Sequence, residues 1–315
     1  MRGLIRCAGA AALVWTAGGA WAEPVEIKAD LPVGRVVPIE IEYSLEAEQV
    51  SPDGEAQKKS VRQTALVRFE VEEVADDGSA VLKGSVERLS LEWSRGEERG
   101  EFVRPRITAD VPADTPLNTA LEALGSAMLA APIQMVVSPD GRVEAIRGLN
   151  DVLMALNDPA VRGEDPIPRV DASALGVFGG RQFAALSGSA FTGDGAGREP
   201  REVGETWETT ESIPAPPAGT ILLETDWTTT AIDKPLATFT GVSTVSIAPP
   251  PGDDPTAPRG EVVQQASTVT MIWNLDAGLM DERVSVQRLV TNWSMAGMTL
   301  QQTQTSTMKL KRLGD

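Results

Sequence analysis

Apolar and polar residues alternate one for one over most of this chain, the period of a half-buried strand rather than of a helix. The longest such stretch, Glu261 to Leu313, reads as three long strands joined by short turns. Val263, Val269, Met271, Trp273 and Leu275 fall on one face of the first, with Gln264, Thr268, Thr270 and Asn274 on the other. After the turn Asp276-Ala277-Gly278 the chain returns with Met280, Val284, Val286 and Val290 at alternating positions, which predicts its apolar face. A second turn, Met295-Ala296-Gly297-Met298, leads into Thr299 to Leu313, rich in β-branched Thr and in Gln.

The cleanest alternation lies near the N-terminus. Val37, Ile39, Ile41, Tyr43, Leu45 and Ala47 face one way and Glu40, Glu42, Glu46 and Glu48 the other, predicting a core face and an acidic solvent face. A turn at Ser51-Pro52-Asp53-Gly54 follows, with Pro presetting φ and Gly accepting a positive one. The next strand carries Val61, Ala65, Val67, Phe69 and Val71 in phase and turns at Asp76-Asp77-Gly78. Its partner has Ala80, Leu82 and Val86 at even positions but Leu89, Leu91 and Trp93 at odd ones, a change of phase that predicts a β-bulge near Glu87 and Arg88. Ser94 to Glu101 reads as a polar loop, and Phe102 to Thr108 as a short strand that Pro105 confines to a sheet edge.

From Thr115 the period changes. Thr115 caps, Pro116 suits the first helical position, and Leu117, Leu121, Leu124 and Met128 recur at helical spacing until Pro132 stops the run. Ile133 to Val137 and Arg142 to Ile146 form a hairpin around Ser138-Pro139-Asp140-Gly141. Asn150 caps a second helix through Val152, Leu153 and Leu156, and a third falls within Asp171 to Leu186. Behind a Gly-rich linker, Val203-Gly204-Glu205-Thr206-Trp207 starts a strand as Val33-Gly34-Arg35 does earlier, which suggests two related sheet halves. Thr220 to Ile232 and Leu236 to Ala248 make a further hairpin, and Pro249 to Arg259 a long loop.

These elements predict a mainly β, α+β fold: long curved antiparallel sheets in two related halves, with a small helical insertion between them. The boundaries are a leader (1–22), an N-terminal sheet half (23–110), a helix/hairpin/helix insertion (111–186), a linker (187–202) and a C-terminal meander (203–315).

Composition narrows the chemistry. Arg2 and Arg6, the apolar Ala8 to Val14 and the small-x-small Ala20-Trp21-Ala22 predict a cleavable export signal, hence a periplasmic or extracellular protein. The one cysteine, Cys7, lies in that leader behind Arg6, where a lipid-anchoring signal needs a small residue. The chain has no histidine, so Ser-His and Cys-His nucleophiles and the commonest zinc ligands are ruled out, and no disulfide can form after cleavage. The net charge of −17 repels nucleic acid and anionic headgroups, and the basic run is only the short Lys309-Leu310-Lys311-Arg312. No apolar run is long enough for a transmembrane helix. Few aromatics, mid-chain helices and the Thr/Gln content of both faces of Thr299 to Leu313 argue against an outer-membrane barrel.

Carboxylates are the abundant reactive groups. A hydrolase built on two of them needs one with a raised pKa, which the water-washed row Glu40, Glu42, Glu46 and Glu48 does not provide. Asp253-Asp254, and Asp194 in the Gly193 to Gly197 loop, lack the regular spacing of a calcium loop. No cofactor or metal is expected, and the protein reads as a non-enzyme. Trp93 and Trp273 are in phase with the apolar faces of their strands, and Tyr43, the one tyrosine, points with Ile39 and Ile41. Tyr43, Phe69, Trp93 and Trp273 are therefore the candidate lining of an apolar groove, with the Thr115 to Ala130 helix as its cover.

The strand-turn-strand from Ile133 to Val143 and Ile146, with Ser138-Pro139-Asp140-Gly141 at its turn and Gly148-Leu149 at its end, resembles the exported bacterial domain of unknown function 6263 family. The Val203-Gly204-Glu205-Thr206-Trp207 strand start and the closing meander around Asp276-Ala277-Gly278 are also similar to it. The resemblance implies a fold and an exported location, and no catalytic residue. The expected function is an exported, non-catalytic binding or interaction protein with an apolar ligand, a lipid or acyl chain, in a sheet groove. The alternatives are a structural envelope protein that binds a protein partner and a carboxylate-dependent hydrolase.

Overall fold

The computed structural model describes residues 23–105, 115–139, 142–149, 199–214, 219–250, 258–295 and 298–314, with a few isolated positions between 152 and 191. Among the described residues the alternating stretches become β1 (Val36–Val50), β2 (Ala56–Val74), β3 (Ala80–Arg95), β4 (Glu98–Arg104), β5 (Ile133–Val137), β6 (Val143–Arg147), β7 (Thr206–Pro214), β8 (Thr220–Asp233), β9 (Leu236–Ala248), β10 (Arg259–Asn274), β11 (Leu279–Met295) and β12 (Met298–Arg312). The helical period becomes α1 (Pro116–Ala130), with the Thr115 hydroxyl accepting from the Asn118 N–H at 3.2 Å. Of the second helix from Asn150, Val152 and Met154 are described and helical, and of the third within Asp171 to Leu186, Ala174, Leu175 and Phe178 are described in 3-10 geometry; the rest of both, and the greater part of the linker and of the Pro249 to Arg259 loop, lie outside the described residues.

All strands pair antiparallel in one sheet ordered β6-β5-β3-β2-β1-β12-β11-β10-β9-β8-β7. The two halves predicted from sequence are thus fused rather than separate: β1 pairs with β12 from Ile39 opposite Arg312 to Val50 opposite Gln301. The far edge of β3 is shared, with β4 along Leu89–Arg95 and β5 along Ala80–Gly84.

The predicted bulge is present. Leu66 faces Arg88 and Val67 faces Val86, leaving Glu87 as the extra residue. Ser94 to Glu101 is not a loop: β3 runs to Arg95 and β4 starts at Glu98, because Gly96, at φ 59°, closes a tight turn. A second bulge went unpredicted. Ile272 faces Glu282 and Trp273 faces Met280, so Asp281 is extra, and its carboxylate accepts from Arg312 Nε at 3.1 Å, Arg312 Nη2 at 2.5 Å and Asn274 Nδ2 at 3.1 Å. That bulge reverses the phase of β11, so Val284, Val286 and Val290 share the outer face with Glu282, and Arg283, Gln287, Leu289, Thr291 and Trp293 lie on the inner one. Val263 sits at a further bulge and is exposed, leaving Val262 on the inner face.

The two halves repeat one geometry. The Gly34 N–H donates to Val71 O and the Val71 N–H to Arg35 O; the Gly204 N–H donates to Thr229 O and the Thr229 N–H to Glu205 O. Both glycines need positive φ, 84° and 88°. One residue beyond Val71 and Thr229, β2 and β8 each carry a bulge. Two residues before them, Phe69 stands opposite Gly84 and Trp227 opposite Gly241, an aromatic lying over a glycine in each half.

The inner face of the N-terminal half is closed by α1. Leu117, Ala120, Leu121, Leu124 and Met128 are buried on it, and Gln63 Nε2 of β2 reaches Met128 Sδ at 3.9 Å. Two glycines allow the close approach. A Cβ on Gly125 would lie 2.4 Å from the Phe102 ring, and one on Gly100 would lie 2.7 Å from Leu121.

Candidate functional site

Successive rows of in-register residues cross the inner face from β7 to β12. Trp207, Trp227 and Gly241 form an apolar row, with the two indoles stacked at 6.0 Å. The next row is made of hydroxyls and an amide: Thr209, Thr225, Ser243, Ser267, Gln287 and Ser306. Ser243 and Ser267 are neighbours by one step of the register that pairs Val242 with Thr268. Thr225 and Ser243 share a hydrogen bond of 2.8 Å, and Thr209 Oγ1 accepts from the Trp227 indole at 3.0 Å. Beyond this belt come Glu211, Leu223 and Val245, facing Leu289 and Gln304, and then Ile221 and Ile247, facing Val262, Thr291 and Gln302.

These last rows, with Arg283, Gln287 and Trp293, line one cleft of about 280 Å³. Glu211 and Gln304 are five strands apart, roughly 24 Å on a flat sheet, so the sheet curls to bring both to one cleft. Part of the curl comes from a seam. The β9–β10 ladder ends at Val242 opposite Thr268, and beyond it the Val245 N–H donates to the Gln265 side chain at 2.6 Å instead of to a backbone carbonyl. Gly260 lets the flanking side chains converge, since a Cβ there would meet Trp293 at 2.7 Å and Ile247 at 2.8 Å. Trp293 is oriented by its indole N–H, which donates to Thr291 Oγ1 at 3.0 Å.

The cleft is two-sided in chemistry. Ile221, Leu223, Val245, Ile247, Val262, Leu289 and Trp293 supply apolar surface, and Gln287, Thr291, Gln302 and Gln304 supply hydrogen-bonding groups. Among the described lining residues Arg283 is the one cation and Glu211 the one carboxylate. Arg283 lies in register with Met271 and Leu310, both fully buried, at the end of the cleft nearest the core.

Sequence reading singled out other residues. Phe69, Trp93 and Trp273 are on the inner face but packed into the core, at 0%, 1% and 1% exposure, with Phe191 edge-on to Phe69 at 5.6 Å. The indole nitrogens of Trp93 and Trp273 have no hydrogen-bond partner among the described residues. Trp93 also touches a shallow depression with Ser60, Arg99 and Asn118. Tyr43 is half-buried between Met308 and Gln63, and burial pushes its phenol up to about 12. The four are not gathered in one cavity: Trp273 is on β10, three strands from Tyr43 on β1.

Glu40 and Glu42 face Lys311 and Lys309, and Glu48 faces Lys58, so the predicted acidic face is interleaved with lysines. Glu92 and Glu101 stand opposite each other, but both are exposed and Glu92 pairs with Arg62 at 3.6 Å, leaving neither in the dehydrated setting a general acid needs. Ser306 and Lys309 have Ser-x-x-Lys spacing, yet three residues along a strand put them on opposite faces. Asp194 and Asp253-Asp254 lie outside the described residues. Among the described residues no cluster of acidic side chains is arranged to hold a metal, and no helix is long and apolar enough to cross a membrane.

No family model and no curated protein matches the chain. Among solved structures, lipovitellin, from work on its lipid–protein interactions, aligns at 11% identity and a TM-score of 0.44, over 90% of this chain and 26% of lipovitellin. An outer membrane channel of Pseudomonas putida F1 aligns at 8% identity and TM-score 0.23, over 93% of this chain and all of that one. OccK5 (OpdH) of Pseudomonas aeruginosa aligns at 6% identity and TM-score 0.28, over 90% and 100%. The chain therefore spans about a quarter of the length of lipovitellin.

Proposed function

We propose that this is an exported, non-catalytic binding protein that holds an apolar ligand, a lipid or acyl chain, in the cleft of its C-terminal half. The observation that carries the reading is a correspondence between the halves. Leu223 and Val245 occupy the places of Ala65 and Leu89, and Ile221 and Ile247 those of Gln63 and Leu91. In the N-terminal half that surface is buried on the side of α1; in the C-terminal half the equivalent apolar wall borders open space. An apolar wall left in water costs about 25 cal/mol per Å², which a bound chain would recover. The absence of histidine, the confinement of the one cysteine to the leader and the exposed carboxylates favour binding over catalysis. The leader read from residues 1–22 supports a location in the periplasm or outside the cell.

The test is native mass spectrometry of mature protein purified from the exported fraction, with any adduct extracted. A discrete lipid-sized adduct, lost on substituting Leu223 by Trp, is the expected outcome. A uniform unliganded mass from cells, together with no uptake of added acyl chains, refutes it.

A second reading, an envelope protein that binds a protein partner, is favoured by the exposed valines of the outer face, Val242 and Val286, which flank Thr268 on β10. Crosslinking through cysteines placed at those two positions separates the two readings.

A further inference from the structure

We infer that the occupant of the cleft is an uncharged lipid with two unlike sides: a rigid fused-ring skeleton, aliphatic along one side and carrying hydroxyl groups along the other. The inference rests on the proposed apolar-ligand reading and adds the class of lipid and the way round it lies.

Three observations carry it. The first is which polar groups of the lining are already engaged. Glu211 and Arg283, its two charged residues, each have an interaction partner within the protein, and Thr291 accepts the Trp293 indole N–H at 3.0 Å. Gln265, on the same inner face, is taken up by the Val245 N–H. Gln287, Gln302 and Gln304, by contrast, make no side-chain hydrogen bond among the described residues. What the lining offers a ligand is therefore neutral amide, able both to donate and to accept, which suits hydroxyl groups and gives a charged head no counter-ion.

The second is where these amides stand. In successive rows of the β11–β12 pair Gln287 lies opposite Ser306, Leu289 opposite Gln304 and Thr291 opposite Gln302, so an amide recurs in every row over about 14 Å of strand. On β8 and β9 the last two of those rows are Leu223 with Val245 and Ile221 with Ile247, wholly aliphatic. The cleft is thus divided lengthwise, an aliphatic wall on one flank and a ladder of amides on the other. The third is what such a division selects. A saturated chain has no polar side, and covering the amides with it strips them of water without replacing the lost hydrogen bonds. A flexible hydroxylated chain must be frozen to keep its hydroxyls in line, whereas fused rings hold theirs on one side in advance. The volume, about 280 Å³, is at the low end for small-molecule sites and admits one compact skeleton rather than a two-chain lipid.

The test uses delipidated mature protein and three uncharged probes, each measured by equilibrium dialysis below its solubility limit: the methyl esters of chenodeoxycholic and ursodeoxycholic acid, and hexadecanol. The two esters have one skeleton and one formula and differ in whether their two ring hydroxyls share a side. The chenodeoxycholate ester, with both on one side, is expected to bind at least about 10-fold more tightly than its epimer, which turns one hydroxyl towards the aliphatic wall and leaves it without a partner. Replacing both Gln302→Leu and Gln304→Leu should bring the two epimers within about 2-fold of each other and leave hexadecanol bound at least as tightly as before. Equal affinities for the epimers on the unsubstituted protein, a preference for the ursodeoxycholate ester, or uptake of hexadecanol alone would overturn the two-sided assignment while the apolar-ligand reading stands. Binding of none of the three overturns that underlying reading as well. The ranking on the unsubstituted protein decides the matter even where the double variant fails to fold.

Discussion

The two halves start alike and finish differently. Each has a left-handed glycine ahead of its first strand, a bulge one residue past the matching hydrogen bond, and an aromatic lying over a cross-strand glycine. From that shared start, Ile39–Val67–Val86 and Ile41–Ala65–Leu89 continue the N-terminal half as solid aliphatic core. The corresponding rows of the C-terminal half are Thr209–Thr225–Ser243 and Glu211–Leu223–Val245. One strand frame thus makes a packed unit when its rows are aliphatic and a helix lies on them. It makes a cleft when one row is hydroxyl and the next is left open. The difference lies in side chains and cover, with the ladder geometry in common.

The largest effect should come from unseating the helix that closes the N-terminal half. In an ordinary helix Gly→Ala adds up to about 1 kcal/mol of stability. At Gly125 the new methyl would lie 2.4 Å from the Phe102 ring, so Gly125→Ala should instead cost about 2–4 kcal/mol through overpacking. Urea unfolding measures it, and a rise in binding of an apolar dye to the native state should accompany it as α1 lifts. A neutral or stabilising Gly125→Ala would mean that α1 is not held against β4, and the contrast between a covered and an open half would fail.

How much of this was legible depended on which face a strand's apolar residues marked. The bulge at Glu87 could be read because Ala80, Leu82 and Val86 before it and Leu89, Leu91 and Trp93 after it are all core. The bulge at Asp281 could not. Behind it the outward residues are Val284, Val286 and Val290, and the inward ones include Arg283, Ser285 and Gln287, so alternation tracked the wrong face. One signal was available: Leu289 and Trp293 at odd positions, out of phase with Val284, Val286 and Val290. Phase put Phe69, Trp93 and Trp273 on the inner face, but it could not tell a groove lining from packed core, and the structure packs all three into the core. The cleft depends on the curl that brings β7 near β12, and no local period encodes that.

Tyr43, at the β1–β12 seam where the halves join, sharpens the comparison on a smaller scale. Its folded pKa is raised from 10.0 to about 12 by burial. The native phenol therefore keeps its proton at a pH where the unfolded chain has lost it, and stability is full below pH 10 and falls as pH rises through the interval to 12. The loss should reach about 2 kcal/mol, somewhat less because the ring is partly exposed. Denaturant unfolding across that interval should show the slope in the unsubstituted chain and lose it in Tyr43→Phe. As this is the one tyrosine, tyrosinate absorbance reports it directly. Titration near 10 would mean that the seam is wet and that the two halves do not share one dry core.

The smallest effect tests the hydroxyl row itself. Thr225→Val makes the C-terminal half resemble the N-terminal one, where Val67 stands at the same place, but it leaves the Ser243 hydroxyl without the 2.8 Å bond it makes to Thr225. A stranded buried hydroxyl costs about 1–2 kcal/mol, whereas removing both partners of a bond is close to neutral. Thr225→Val and Ser243→Ala should therefore each destabilise, and the double variant should be more stable than their sum by about 1 kcal/mol. The same double variant separates two reasons for the row. If its stability is unchanged and an added acyl chain binds as before, the hydroxyls only fill space beside the cleft. If its stability is unchanged and acyl-chain affinity falls, the row is there for the ligand, and the halves diverged because one of them was shaped around a molecule.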